Sequence, residues 1–142
     1  MTIVSNCEAD TERAGEALAR GLPNGSVVAL YGDLGAGKTA FVRGMAHGLG
    51  IEARVSSPTF TIVNEYAGNG RELLHFDMYR LGGPDELFDI GWDDYLARGA
   101  ICAVEWSENV EDIFDGSEVV VRICKTSDSR REIQIEGGCE LC

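Results

Sequence analysis

Lys38 and Thr39 close the run Gly32-Asp33-Leu34-Gly35-Ala36-Gly37-Lys38-Thr39, which satisfies G-x-x-x-x-G-K-[ST] at every position. Each residue type has a chemical use there. Glycines let backbone N–H groups turn inward around phosphate oxygens with no Cβ in the way. The lysine sets a point charge at the β- and γ-phosphates of a nucleotide. The threonine hydroxyl suits Mg2+, whose octahedral shell is otherwise completed by phosphate, water and carboxylate oxygens. At average composition a chance match in a chain of this length arises on the order of once in a few hundred. The chain has only two lysines, Lys38 and Lys125, so one of them falls where such a loop demands it. A rival reading takes Gly35-Ala36-Gly37-Lys38-Thr39-Ala40 as the dinucleotide pattern G-x-G-x-x-A. That pattern needs its first glycine directly after a strand, whereas Gly32-Asp33-Leu34 intervenes here, and it has no use for Lys-Thr.

Hydrolysis of a bound nucleotide also needs a carboxylate at the end of a neighbouring strand, for the metal or the attacking water. Leu73-Leu74-His75-Phe76-Asp77 and Ile101-Cys102-Ala103-Val104-Glu105 are both apolar runs ending in an acid, so Asp77 and Glu105 are the candidates. The plainer alternative for each is a strand-end acid facing solvent. Thr59, in Ser57-Pro58-Thr59, could sense a γ-phosphate as switch segments do, or could simply start a strand after proline. His75, inside an apolar strand, reads as a satisfied core histidine rather than a base. Trp92 and Trp106 read as core or rim aromatics.

These residues need a scaffold. Ser26 to Tyr31 is a short β-branched run that predicts a buried strand leading into the glycine loop. From Lys38 to Leu49 the apolar residues Phe41, Val42, Met45, Ala46 and Leu49 fall at helical spacing, and Gly50 ends the helix. An earlier helix is predicted from Asp10, its cap, to Leu22, before Pro23-Asn24-Gly25. Thr59 to Tyr66 and Leu73 to Asp77 predict a hairpin around Ala67-Gly68-Asn69-Gly70. Short helical structure is expected in Pro84 to Leu96, broken near Gly91. A buried strand is expected at Ile101–Val104, and a closing hairpin at Val119–Cys124 and Glu132–Ile135. The antiparallel signals in mid-chain make this an α/β protein with a mixed sheet, not a purely alternating βαβ chain.

The chain has 142 residues, suiting one domain, and 44% hydrophobic residues, enough for a core. Lys+Arg 12 against Asp+Glu 24 leave a net charge of −12, which disfavours broad contact with DNA, RNA or a membrane surface. A protein partner or a metal-neutralised phosphate ligand fits better. The N-terminal residues lack a basic region followed by an apolar run, and five cysteines at irregular spacing read as free thiols, so a cytoplasmic location is expected. Cys139-Glu140-Leu141-Cys142 spells C-x-x-C but has no second pair, and residues from about 137 to 142 are expected to form a flexible tail. No Asn/Thr-Lys-x-Asp element is present, which argues against guanine specificity. A small nucleotide or metabolite kinase stays open through Arg80 and Arg98, as does a nucleotide-gated binding module.

Four blocks occur in order: the glycine loop, Ser57-Pro58-Thr59-Phe60, His75-Phe76-Asp77-Met78-Tyr79-Arg80-Leu81 and Val104-Glu105-Trp106. In this the chain closely resembles the TsaE (YjeE) family, small bacterial ATPases of tRNA threonylcarbamoyladenosine biosynthesis, over about Asp10 to Glu136. The resemblance implies a P-loop NTPase fold in a single domain, residues 1–142, with a mixed sheet flanked by helices. It implies ATP and Mg2+ as cofactors. Gly35, Ala36, Gly37, Lys38, Thr39 and Ala40 would bind the nucleotide, with Arg131 near it. Thr39 and Glu105 would hold the metal, while Asp77 and Thr59 act around the γ-phosphate and the attacking water. It further implies slow hydrolysis in isolation and docking onto the TsaD–TsaB transferase, with tRNA met only through that complex. Cys139 and Cys142 acquire no role from it.

Overall fold

The computed structural model describes residues 2–32, 36–52, 55, 63–77, 91–105 and 117–137. Gly35, Thr59, Trp106, Cys139 and Cys142 lie outside them. So do the expected strand start at 59–62, the block at 78–81 and the helical stretch at 84–90.

The β-branched run after Ser26 forms strand β2 (Val27–Tyr31), preceded in the chain by β1 (Thr2–Ser5). The later strands are β3 (Val63–Gly68), β4 (Arg71–Asp77), β5 (Ile101–Glu105), β6 (Val119–Lys125) and β7 (Arg131–Glu136). All seven join one sheet in the order β1-β7-β6-β2-β5-β4-β3. The four central strands β6, β2, β5 and β4 are mutually parallel, and both flanks are antiparallel. This is the expected mixed α/β sheet. The hairpin between β3 and β4 turns at Asn69 and Gly70, with φ of 52° and 75°. Two successive positive φ values make the tight turn that matches strand twist, which is why Asn-Gly marks it.

Helices α1 (Glu8–Arg20) and α2 (Lys38–Gly48) pack on one face of the sheet, and α3 (Trp92–Ala97) packs on the other. Alternation along β4 and β5 sends Leu73, Ile101 and Ala103 into the core under α1 and α2. Leu74, Phe76, Cys102 and Val104 go to the opposite core, where Phe76 meets Trp92 edge-on at a centroid distance of 5.1 Å. Trp92 is therefore a core aromatic, as expected.

Two expectations at the N-terminus need correction. Helix α1 begins at Glu8 behind Cys7, not behind Asp10, and ends at Arg20. Asp10 works from the first turn: its carboxylate accepts the Asn6 N–H at 3.0 Å, and that bond, aided by Arg13, holds its carboxyl below the usual range. Strand β1 was not expected. Its four residues carry little signal of their own, and pairing with β7 at the far end of the chain creates it.

Candidate functional site

In an open sheet of parallel strands, ligands bind outside the carboxyl ends of the strands. Those ends here belong to β6, β2, β5 and β4. β2 runs out at Tyr31 into Gly32, whose φ is +151° and where a Cβ would stand 2.6 Å from the Ile123 carbonyl oxygen of β6. Only glycine fits this close passage. The loop ends at Gly37, a left-handed residue at φ 111° that starts α2 with no side-chain cap. The first backbone bond of α2 runs from Phe41 N–H to the Gly37 carbonyl at 3.0 Å. The amides ahead of it point out of the helix end, where the macrodipole favours an anion.

Lys38 folds back across the loop and donates from Nζ to the Gly32 carbonyl at 2.6 Å. Its side chain is almost wholly buried, at 4% exposure. Burying an ammonium is costly in an apolar interior, so a cation kept here is poorly explained by packing. Beside it, the Thr39 hydroxyl donates to Oε2 of Glu105 at 3.3 Å, joining residues 66 positions apart. Glu105 ends β5 and Asp77 ends β4, and the two are register partners. By strand alternation both lie on the α2 face of the sheet. Two carboxylates set side by side at strand ends repel each other and favour a cation between or beside them. Among the described residues no group of three or more His, Cys, Asp or Glu side chains could hold a metal ion. The Thr39 hydroxyl and the Glu105 carboxylate are hard oxygen donors, of which Mg2+ takes one or two from a protein while phosphate and water complete its shell. The donor set therefore fits a magnesium–nucleotide ligand.

Arg131, at the start of β7, crosses to the glycine loop. Its Nε donates to the Ala36 carbonyl at 3.1 Å, while Nη1 donates to carbonyls of Ser127, Arg130 and Asp128 at 3.2, 3.3 and 3.4 Å. It thus straps the β6–β7 turn to the loop. Ala36, Gly37, Lys38, Thr39, Ala40, Glu105, Asp77 and Arg131 are gathered at this one end of the sheet, and Gly35 and Thr59 lie outside the described residues.

One expectation holds only in part. His75 is fully buried, as a core histidine should be, but it is only half satisfied. Nε2 hydrogen-bonds to Glu105 Oε2, and Nδ1 has no partner among the described residues. The available signal was the period-2 spacing of His75 and Asp77, which puts both on one face of β4.

A glycine loop between a buried parallel strand and a helix, closed by lysine and flanked by two acidic strand ends, defines a P-loop NTPase fold. The family profile described as "Threonylcarbamoyl adenosine biosynthesis protein TsaE" matches residues 5–133. The chain belongs to the TsaE family, which serves tRNA threonylcarbamoyladenosine biosynthesis. The tRNA threonylcarbamoyladenosine biosynthesis protein TsaE of Treponema pallidum is 41% identical over 135 residues, 95% of this chain and 99% of that protein. The protein of the same name from Bacillus subtilis is 44% identical over 109 residues, 77% of this chain and 68% of that one. A crystal structure of Bacillus subtilis YdiB superposes with a TM-score of 0.81 at 32% identity, covering 95% of this chain and 83% of that one.

Proposed function

We propose that this protein is a Mg2+-dependent ATPase that acts on the TsaD–TsaB threonylcarbamoyl transferase, itself meeting tRNA only through that complex. The observation that carries the reading is the placement of two consecutive side chains at one helix start. Lys38 closes over the glycine loop, and Thr39 reaches Glu105 at the end of the neighbouring strand. Backbone amides of Gly35 to Ala40 and the Lys38 ammonium bind the triphosphate. Thr39 and Glu105 hold magnesium, which when bound neutralises phosphate charge. Asp77 orients the attacking water, and Thr59 contacts the γ-phosphate side. Arg131 keeps the loop in shape through the Ala36 carbonyl.

The test is ATP binding and hydrolysis with and without the transferase subunits. Lys38→Ala should weaken ATP binding about tenfold to a hundredfold from the lost charged contact alone. Asp77→Ala should keep most binding and lose turnover; Glu105→Ala should keep most binding only when magnesium is saturating, and should also lose turnover. The parent should hydrolyse slowly alone and faster with the subunits; a charge-stabilising group supplied in trans can be worth about 10³–10⁵ in rate. Parent-rate hydrolysis by Asp77→Ala would remove its role. Transfer of labelled γ-phosphate to a small acceptor instead of water would replace this reading with a kinase.

A further inference from the structure

His75 and Ala103 are register partners in the core under α1 and α2, with Leu73 and Ile101 one step before them. An apolar side chain would pack in such surroundings without leaving a polar atom unpaired. The imidazole instead leaves Nδ1 buried and without a partner among the described residues. A buried N–H with no acceptor is costly, because it gives up its bond to water and gains none. A single ring proton placed on Nδ1 would incur that cost while leaving the partnered nitrogen without one, so the hydrogen-bond inventory puts a ring proton on Nε2. Nε2–H then donates to Glu105 Oε2, the same oxygen that accepts the Thr39 hydroxyl at 3.3 Å. Two donors from different elements, β4 and α2, converge on one carboxylate oxygen.

We propose that His75 is the positioning residue for Glu105: it fixes the carboxylate against Thr39 at the mouth of the glycine loop, and so sets how tightly this site holds magnesium. The proposal rests on the reading of Glu105 as a magnesium-holding residue. Removing an outer-shell partner of a metal-holding group typically costs about 10–100-fold in metal affinity or activity. A merely structural His75 would change stability and leave the magnesium requirement alone.

Two measurements decide it. Long-range 1H–15N spectra of the parent, free of magnesium and nucleotide, read the ring protonation directly. The chain has only His47 and His75, and His75→Gln identifies the signal by deleting it. A proton on Nε2 supports the proposal; a single ring proton on Nδ1, which leaves Nε2 unable to donate to Glu105, overturns it. The second measurement titrates MgCl2 against binding of a fluorescent ATP analogue. His75→Leu should raise the magnesium needed for half-maximal binding by about 10–100-fold, with binding in excess chelator unchanged. His75→Gln, which keeps an N–H donor, should recover most of that loss. An unchanged magnesium requirement in His75→Leu, or no difference between Leu and Gln, overturns the proposal. If His75→Leu does not fold, His75→Gln against the parent and the ring spectrum still decide. If the parent itself binds no analogue with magnesium, the metal reading falls and takes the consequence for magnesium with it, while the spectrum judges the His75–Glu105 bond alone.

Discussion

Lys38 and Cys102 are both buried, for opposite reasons. Lys38 holds the Gly32 carbonyl at the entrance to the glycine loop, whereas Cys102 lies in the core beside Phe76 and Val104 as a small hydrophobe. Burial pushes the Cys102 thiol from its ordinary 9.0 up to about 12, slightly opposed by Arg98. Since the thiolate is the reactive form, iodoacetamide at pH 8 should modify the exposed Cys7 and Cys124 and spare Cys102 in the folded protein. Peptide mass spectrometry checks this, and equal labelling of Cys102 and Cys124 would contradict it. The sign of the linked stability follows. The folded state holds this proton more tightly than the unfolded chain, so the contribution is fully present below pH 9 and is lost as pH rises toward 12. At this scale the sequence was informative where chemistry is contiguous. The glycine loop could be read directly, because all its groups lie within eight consecutive positions. The Thr39–Glu105 bond could not, because strand register alone brings those residues together. Arg131 was placed near the nucleotide by family resemblance only. The burial of His75 was legible, but its bond to Glu105 was not, because apolar neighbours in sequence hide a polar neighbour across the sheet.

The same contrast holds for elements. Helix α2 was legible from its apolar spacing and its glycine stop, but that spacing assigned no use to the glycine in its interior. In the structure Gly15, Gly44 and Gly48 let α1 and α2 approach backbone to backbone. A Cβ on Gly44 would run into the Glu12 carbonyl, and one on Gly15 into the Phe41 carbonyl. Helix propensity says Gly44→Ala should stabilise by about 0.5–1 kcal/mol. The collision is with backbone and cannot be relieved by a rotamer change, so overpacking wins. Gly44→Ala should lower unfolding free energy by about 1–3 kcal/mol. Urea unfolding monitored by circular dichroism reads the difference. A higher midpoint at unchanged slope would mean that the helices can separate freely. Because α2 carries Lys38 and Thr39 at its start, the same variant should also weaken ATP-analogue binding.

For the whole molecule, composition and element order predicted a mixed α/β sheet, but not the position of each strand. Placing β6 beside β2 and closing that edge with β7 and β1 depends on pairings between the two ends of the chain, which no local pattern encodes. Charge is the whole-molecule property that bears most on partners. With 24 acidic against 12 basic side chains, the chain offers phosphate backbones little counterion release and considerable repulsion. The purified protein should therefore not retain labelled tRNA in a filter-binding assay at physiological salt, with or without ATP. In the presence of the transferase subunits, retention should come from those subunits and survive addition of this chain. The proposed association with the transferase should in turn weaken as salt rises, because a net charge of −12 favours a partner surface of opposite sign through long-range attraction that is screened beyond about 8 Å at physiological ionic strength. Interferometry across a salt series would read this mainly in the association rate. Tight, salt-insensitive tRNA binding by the isolated chain would instead mean that a local basic surface overrides the net charge, and that the protein meets its tRNA directly.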